Sequence, residues 1–94
     1  MLILVCCGSG LGSSFMIEMN IKNILKEMNL EEIQVDHSDL SSASGIKADI
    51  YVGTRDLASN LTSLGYTVSL NNMIDKNELK QKITKALEDK GIIK

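Results

Sequence analysis

One cysteine, three glycines and three serines fall within eight residues: Cys7-Gly8-Ser9-Gly10-Leu11-Gly12-Ser13-Ser14. Before them runs Leu2-Ile3-Leu4-Val5-Cys6, a continuous apolar stretch of the kind a buried parallel strand shows. After them helical periodicity begins at once. Glycines let backbone N–H groups converge on an anion, and a helix start adds partial positive charge. The same field favours thiolate over thiol. The segment therefore offers a nucleophile, Cys7, and a seat for a phosphoryl group built from Gly8, Ser9, Gly10, Leu11, Gly12, Ser13 and Ser14. Ser13 and Ser14 can also cap the helix.

Three phosphate loops compete for this pattern. A nucleotide-binding loop of the Gly-x-x-x-x-Gly-Lys-Ser/Thr type needs a lysine that is missing here. A dinucleotide loop needs Gly-x-Gly-x-x-Gly, whereas Gly8, Gly10 and Gly12 fall one residue short at the third glycine. Neither explains a cysteine at the start. The third is the thiol-phosphate loop of low-molecular-weight phosphatases, Cys-x5-Arg-Ser. Counted from Cys7, the arginine position holds Ser13 and the next serine is Ser14. The arginine of such a loop clamps the phosphoryl oxygens and stabilises the transition state. Without it, and without an aspartic acid clearly placed as general acid, a phosphocysteine would persist. That suits a carrier better than a phosphatase. A flavodoxin-like FMN module and a Cys6–Cys7 redox sensor rank lower: aromatics to sandwich a flavin are scarce, and a bridge between adjacent cysteines is strained.

The elements that must position the loop alternate between strand and helix. Strand one is expected at 1–6, and helix one from 13 to about 28 with Ile17, Ile21, Ile24, Leu25 and Met28 inward. Glu18 and Lys22 are placed together on its solvated side. Strand two is expected at about 33–37, at an edge, followed by a loop or single helical turn over 40–46. Strand three spans 48–53. Thr54 then caps a helix carrying Leu57, Leu61 and Leu64, which stops at Gly65. Strand four spans 66–70. Asp75-Lys76-Asn77-Glu78 has capping-box spacing before a helix with Leu79, Ile83, Ala86 and Leu87 on one face, ended by Gly91. This alternation predicts an α/β fold: a small doubly wound four-stranded parallel sheet with helices on both faces, the cysteine loop following strand one. Ligands in such folds sit at the carboxyl ends of the strands, here Cys7, Asp36 to Asp39, Gly53-Thr54-Arg55 and Asn71-Asn72.

Several residues have plain structural readings. Cys6 is expected as a buried small hydrophobe. Asp36 and Asp39 read as turn and cap residues, and His37 as an ordinary strand-end histidine. Met16, Met19 and Met28 are expected to fill the core, exposed ones near the loop serving adaptable contact. Arg55, the one arginine, is a solvated side chain by default and a candidate contact for phosphate or a donor protein.

Composition narrows the function classes. The 94 residues read as a single domain spanning 1–94, with 44% hydrophobic residues but only 3% aromatic ones, so the core is aliphatic. A formal charge of -2 and the lack of a basic stripe argue against nucleic acid. No apolar run approaches the ~20 residues needed to cross a bilayer, and no signal-peptide pattern opens the chain. A soluble, cytoplasmic protein follows as the expectation. Neither a metal nor a cofactor is expected, because the one histidine lacks a ligand cluster in the sequence.

Taken with these elements, the loop resembles that of enzyme IIB components of bacterial phosphoenolpyruvate-dependent sugar phosphotransferase systems, of the ascorbate-like type within the ascorbate/galactitol group. The resemblance rests on Cys7-Gly8-x-Gly10-x-Gly12-Ser13-Ser14 and the helix Phe15-Met16-Ile17-Glu18-Met19. It continues through Ala48-Asp49-Ile50, Asn72-Met73 and the closing amphipathic helix, nearly the whole chain. It implies that Cys7 is phosphorylated by a phosphohistidine on enzyme IIA, and that Gly8 through Ser14 hold the phosphoryl group. It also implies that Cys7 passes the group to a sugar bound in membrane enzyme IIC, bringing the chain transiently to the inner membrane face.

Overall fold

The computed structural model describes residues 1–7, 11–70 and 76–92. Its elements alternate as expected: β1 (Leu2–Cys7), α1 (Leu11–Glu27), β2 (Gln34–Asp39), α2 (Leu40–Ala43), β3 (Ile50–Thr54), α3 (Arg55–Leu61), β4 (Thr67–Leu70) and α4 (Lys76–Asp89). All strand pairs are parallel, in the order β2-β1-β3-β4. β2 is thus an edge strand, as its polar alternation suggests, and β1 is central. Centrality accounts for the apolar run: Ile3, Leu4 and Val5 are completely buried because helices cover both sheet faces.

Strand alternation divides the core in two. Ile3, Val5, Ile50, Val52, Val68 and Leu70 meet Ile17, Ile21, Ile24 and Leu25 of α1 and Leu79, Ile83, Ala86 and Leu87 of α4. On the other face Leu4, Cys6 and Tyr51 meet Ala43 of α2 and Leu61 of α3. The inward face expected of α4 is the one observed. That of α1 holds too, Met28 packing at its margin.

Some boundaries and placements differ from expectation. α1 starts at Leu11 rather than Ser13, because the first turn of a helix requires no intrahelical acceptors for its N–H groups and tolerates glycine and serine there. β2 runs on to Asp39, so Asp36 lies within a strand and is not a turn residue. Its carboxylate instead accepts from the His37 backbone N–H at 2.8 Å, satisfying a donor on the open sheet edge. Asp39 does cap α2, accepting from the Ser42 N–H at 2.7 Å, and Thr54 occupies the N-cap of α3. Met16 and Met19 are about half exposed and do not fill the core, since they fall outside the stripe of α1 that meets the sheet. The capping box at Asp75 and the Asn71-Asn72 strand end lie outside the described residues.

Candidate functional site

Cys7 is the last residue of β1, at the carboxyl edge of the sheet, where the topology directs ligands. Its register partner across the β1–β2 ladder is Asp39, the last residue of β2. Gly8, Ser9 and Gly10 lie outside the described residues. Leu11, Gly12, Ser13 and Ser14 form the first turn of α1, and the backbone N–H groups of Leu11, Gly12 and Ser13 have no intrahelical carbonyl to satisfy them. Thus half of the expected phosphate loop is helix. The first turn carries no acidic residue, so no carboxylate of that turn itself offsets the positive end of the helix.

Cys6 behaves as a core residue. It is 3% exposed, and burial, reinforced by the Asp39 carboxylate, pushes its thiol up to about 11. Such a thiol stays protonated at neutral pH and is a poor nucleophile.

The sequence reading missed a polar cluster between α1 and β2. Glu18 is not on a solvated face: it is only 6% exposed. One of its oxygens takes the Lys22 ammonium at 2.7 Å, and the other is held by Nδ1 of His37. Phe15 meets the His37 ring edge-on, with centroids 6.0 Å apart and planes at 86°. His37 is therefore part of a bridge that fixes the first half of α1 to β2. Its signal in the sequence is faint, because Glu18 follows Ile17 at the margin of the apolar stripe and its partner lies on a distant strand. Glu18, Asp36 and His37 place donor atoms within 4.8 Å of one another, but both Glu18 oxygens are already engaged, so the grouping reads as an ion-pair network.

Phe15, Met16 and Met19 are 52%, 47% and 50% exposed. They follow the site along α1, giving its surroundings an apolar side. A groove of about 620 Å³ opens elsewhere, between β2 and the second half of α1, lined by Leu2, Lys22, Lys26, Ile33 and Gln34 among others. It lies away from the carboxyl edge and from Cys7. Among the described residues, no helix is long and apolar enough to cross a membrane.

Comparison with known proteins converges on one family. Residues 2–85 match the family described as "PTS system, Lactose/Cellobiose specific IIB subunit". The chain is 30% identical to the ascorbate-specific PTS system EIIB component of Mycoplasma pneumoniae, over 90% of this chain and 93% of that one. It is 30% identical to the protein of the same description from Shigella dysenteriae serotype 1 and 28% identical to that from Escherichia coli O157:H7. Each of these covers 93% of this chain and 89% of the relative. A parallel four-stranded sheet, a cysteine ending its central strand and a family match over nearly the whole length lead to one conclusion: this chain belongs to the PTS enzyme IIB family and is a phosphotransferase of a sugar phosphotransferase system.

Proposed function

We propose that this protein carries a phosphoryl group on Cys7, taking it from a phosphohistidine of enzyme IIA and delivering it to a sugar bound in membrane enzyme IIC. The observation that carries this reading is the placement of Cys7 at the carboxyl end of the central strand, four residues before the acid-free first turn of α1. In the first step the Cys7 thiolate attacks phosphorus in line. The S–P bond forms and the P–N bond to the donor breaks; the donor ring, protonated on its other nitrogen, keeps the electron pair and leaves as neutral imidazole. In the second step a sugar hydroxyl attacks phosphorus, the O–P bond forms, and Cys7 leaves as thiolate while the hydroxyl proton passes to a base. Backbone N–H groups of Gly8 through Ser14 hold the equatorial oxygens, and the Ser13 and Ser14 hydroxyls add hydrogen bonds. Catalysis is then positioning and electrostatics. Ser13 in place of a phosphatase arginine favours a group that is passed on over one that is hydrolysed.

The relatives' descriptions make ascorbate the sugar we propose. The family's lactose/cellobiose description fits a carrier whose chemistry is shared while sugar choice lies with the membrane component. Such a carrier works in the cytoplasm, at the inner membrane face when it meets enzyme IIC. Incubation with phosphoenolpyruvate, the general phosphotransferase proteins and an ascorbate-type enzyme IIA should add one phosphoryl group by intact mass, and none to Cys7→Ser. An adduct that survives in Cys7→Ser would overturn the assignment. An active p-nitrophenyl phosphatase without transfer would replace it with the phosphatase reading.

A further inference from the structure

The β2 side of Cys7 is electrically wrong for the chemistry proposed. Asp39 is the register partner of Cys7, and its carboxylate already reaches the neighbouring sulfur strongly enough to oppose thiolate formation at Cys6. A phosphoryl group on Cys7 would bring further negative charge to the same strand end. A compensating cation has to come from another element, because the loop segment from Cys7 to Ser14 contains no lysine or arginine.

The other side of β1 provides one. β3 pairs with β1 so that Val52 lies beside Val5. A Cβ built on Gly53 would stand 3.7 Å from the Cys6 carbonyl oxygen, so the two strands are still neighbours one residue further on. The next step along each strand sets Thr54 beside Cys7, and Arg55 follows as the first residue of α3. Neighbouring strands lie about 4.8 Å apart, well within the length of an arginine side chain. Arg55 is exposed. Among the described residues no ion pair engages it, whereas Lys22, Lys80, Lys82 and Lys85 each have a carboxylate partner. Lys76, which opens α4, lies in a groove with Asn20, Asn23 and Glu27; Asn20 is about 14 Å along the helix from the first residue of α1. A cation in the first turn of a helix is also disfavoured by the helix field, so local stability does not account for Arg55.

We propose that the Arg55 guanidinium contacts the phosphoryl group while it is bound to Cys7, supplying from β3–α3 the positive charge that the loop lacks. The proposal rests on the Cys7 carrier reading. Arg55 offsets the charge spread over the phosphoryl oxygens during both the gain and the loss of the group, and no proton moves to or from it.

Phosphorylation by an ascorbate-type enzyme IIA, itself charged by phosphoenolpyruvate and the general proteins, separates the two readings when wild type, Cys7→Ser, Arg55→Gln and Arg55→Lys are run together. Arg55→Gln is expected to gain its adduct about ten- to hundredfold more slowly than wild type, with Arg55→Lys intermediate. Both should keep the wild-type unfolding temperature. A purely structural role would leave the phosphoryl group's own ionisation untouched. Phosphorus NMR of the phosphorylated proteins should instead show that ionisation shifted to higher pH in Arg55→Gln. Wild-type rates and an unmoved phosphorus titration in Arg55→Gln would overturn the assignment of Arg55 while leaving Cys7 in place. Failure of the wild type to take any adduct from a demonstrably phosphorylated donor would remove both.

Discussion

At the scale of single residues, Cys6 offers a test of burial independent of any transfer chemistry. Its thiol is pushed up to about 11, first by burial and then by the Asp39 carboxylate. In the unfolded chain a cysteine titrates near pH 8.5–9. A raised folded value means that the native state keeps a proton which the unfolded chain releases. The associated stability is therefore present below about pH 9 and lost as pH rises toward 11. The loss across that window should be about 2 kcal/mol. Urea unfolding at pH 7, 9 and 11 should show it in the wild type. In Cys6→Ala this part of the slope should vanish, leaving the shared decline from other groups. Tyr66 contributes a later loss: its hydroxyl donates to Asp89 at 2.5 Å, and that bond, with burial and the Asp89 charge, pushes it up to about 12. Equal alkaline slopes in wild type and Cys6→Ala would mean that the thiol is not held protonated by the fold.

Elements were more legible in the sequence than the contacts between them. The strand–helix alternation, the edge position of β2 and the inward face of α4 all follow from local periodicity, which the fold preserves. The Glu18–His37 bridge was not legible, because helical spacing pairs Glu18 with Lys22 and says nothing about a strand that crosses beside it. Met16 and Met19 were misplaced for a related reason: hydrophobicity marks a residue as buriable, but only the width of the sheet beneath α1 decides which are covered. The candidate motif is legible at a strand end, but α1 begins at Leu11, two residues before the start that its apolar periodicity suggests. Gly53 shows another element contact that only the structure reveals. A Cβ there would come within 2.7 Å of Cδ1 of Leu61, and Leu61 is completely buried with nowhere to retreat. Gly53→Ala should therefore cost about 1–3 kcal/mol through forced repacking of α3 on β3. Adding Leu61→Ala should relieve the clash, so that the double variant loses clearly less than the sum of the single losses in urea titrations. Strict additivity would show that α3 does not press on the strand at Gly53.

At the scale of the whole molecule, one sheet carries two helical layers, one packed on each of its faces. β1 and β3 turn alternate residues to opposite sides, so Leu4 packs against α2 and α3 while Ile3 packs against α1 and α4. Removing either layer would bare one face of strands that are apolar on both. Unfolding should accordingly be a single cooperative transition. The chain itself supplies a reporter for each side: Tyr51 is buried with the α2/α3 layer, Tyr66 packs at the margin of the other, and there is no tryptophan. Leu4→Ala and Ile83→Ala remove completely buried side chains from opposite layers, and each should cost about 2–5 kcal/mol. In both variants, tyrosine fluorescence and far-ultraviolet circular dichroism should move together to the same lower urea midpoint. In a Tyr66→Phe background the fluorescence reports Tyr51 alone, and its transition should still coincide with loss of helix. An early Tyr51 transition in Leu4→Ala, with most helix retained, would show that the α2/α3 layer melts separately. The carboxyl edge bearing Cys7 and Arg55 would then be only as rigid as its weaker side. Coincident transitions would instead mean that both sides of the candidate site are held by one core, as the proposed presentation of one sulfur to two partners in turn would need.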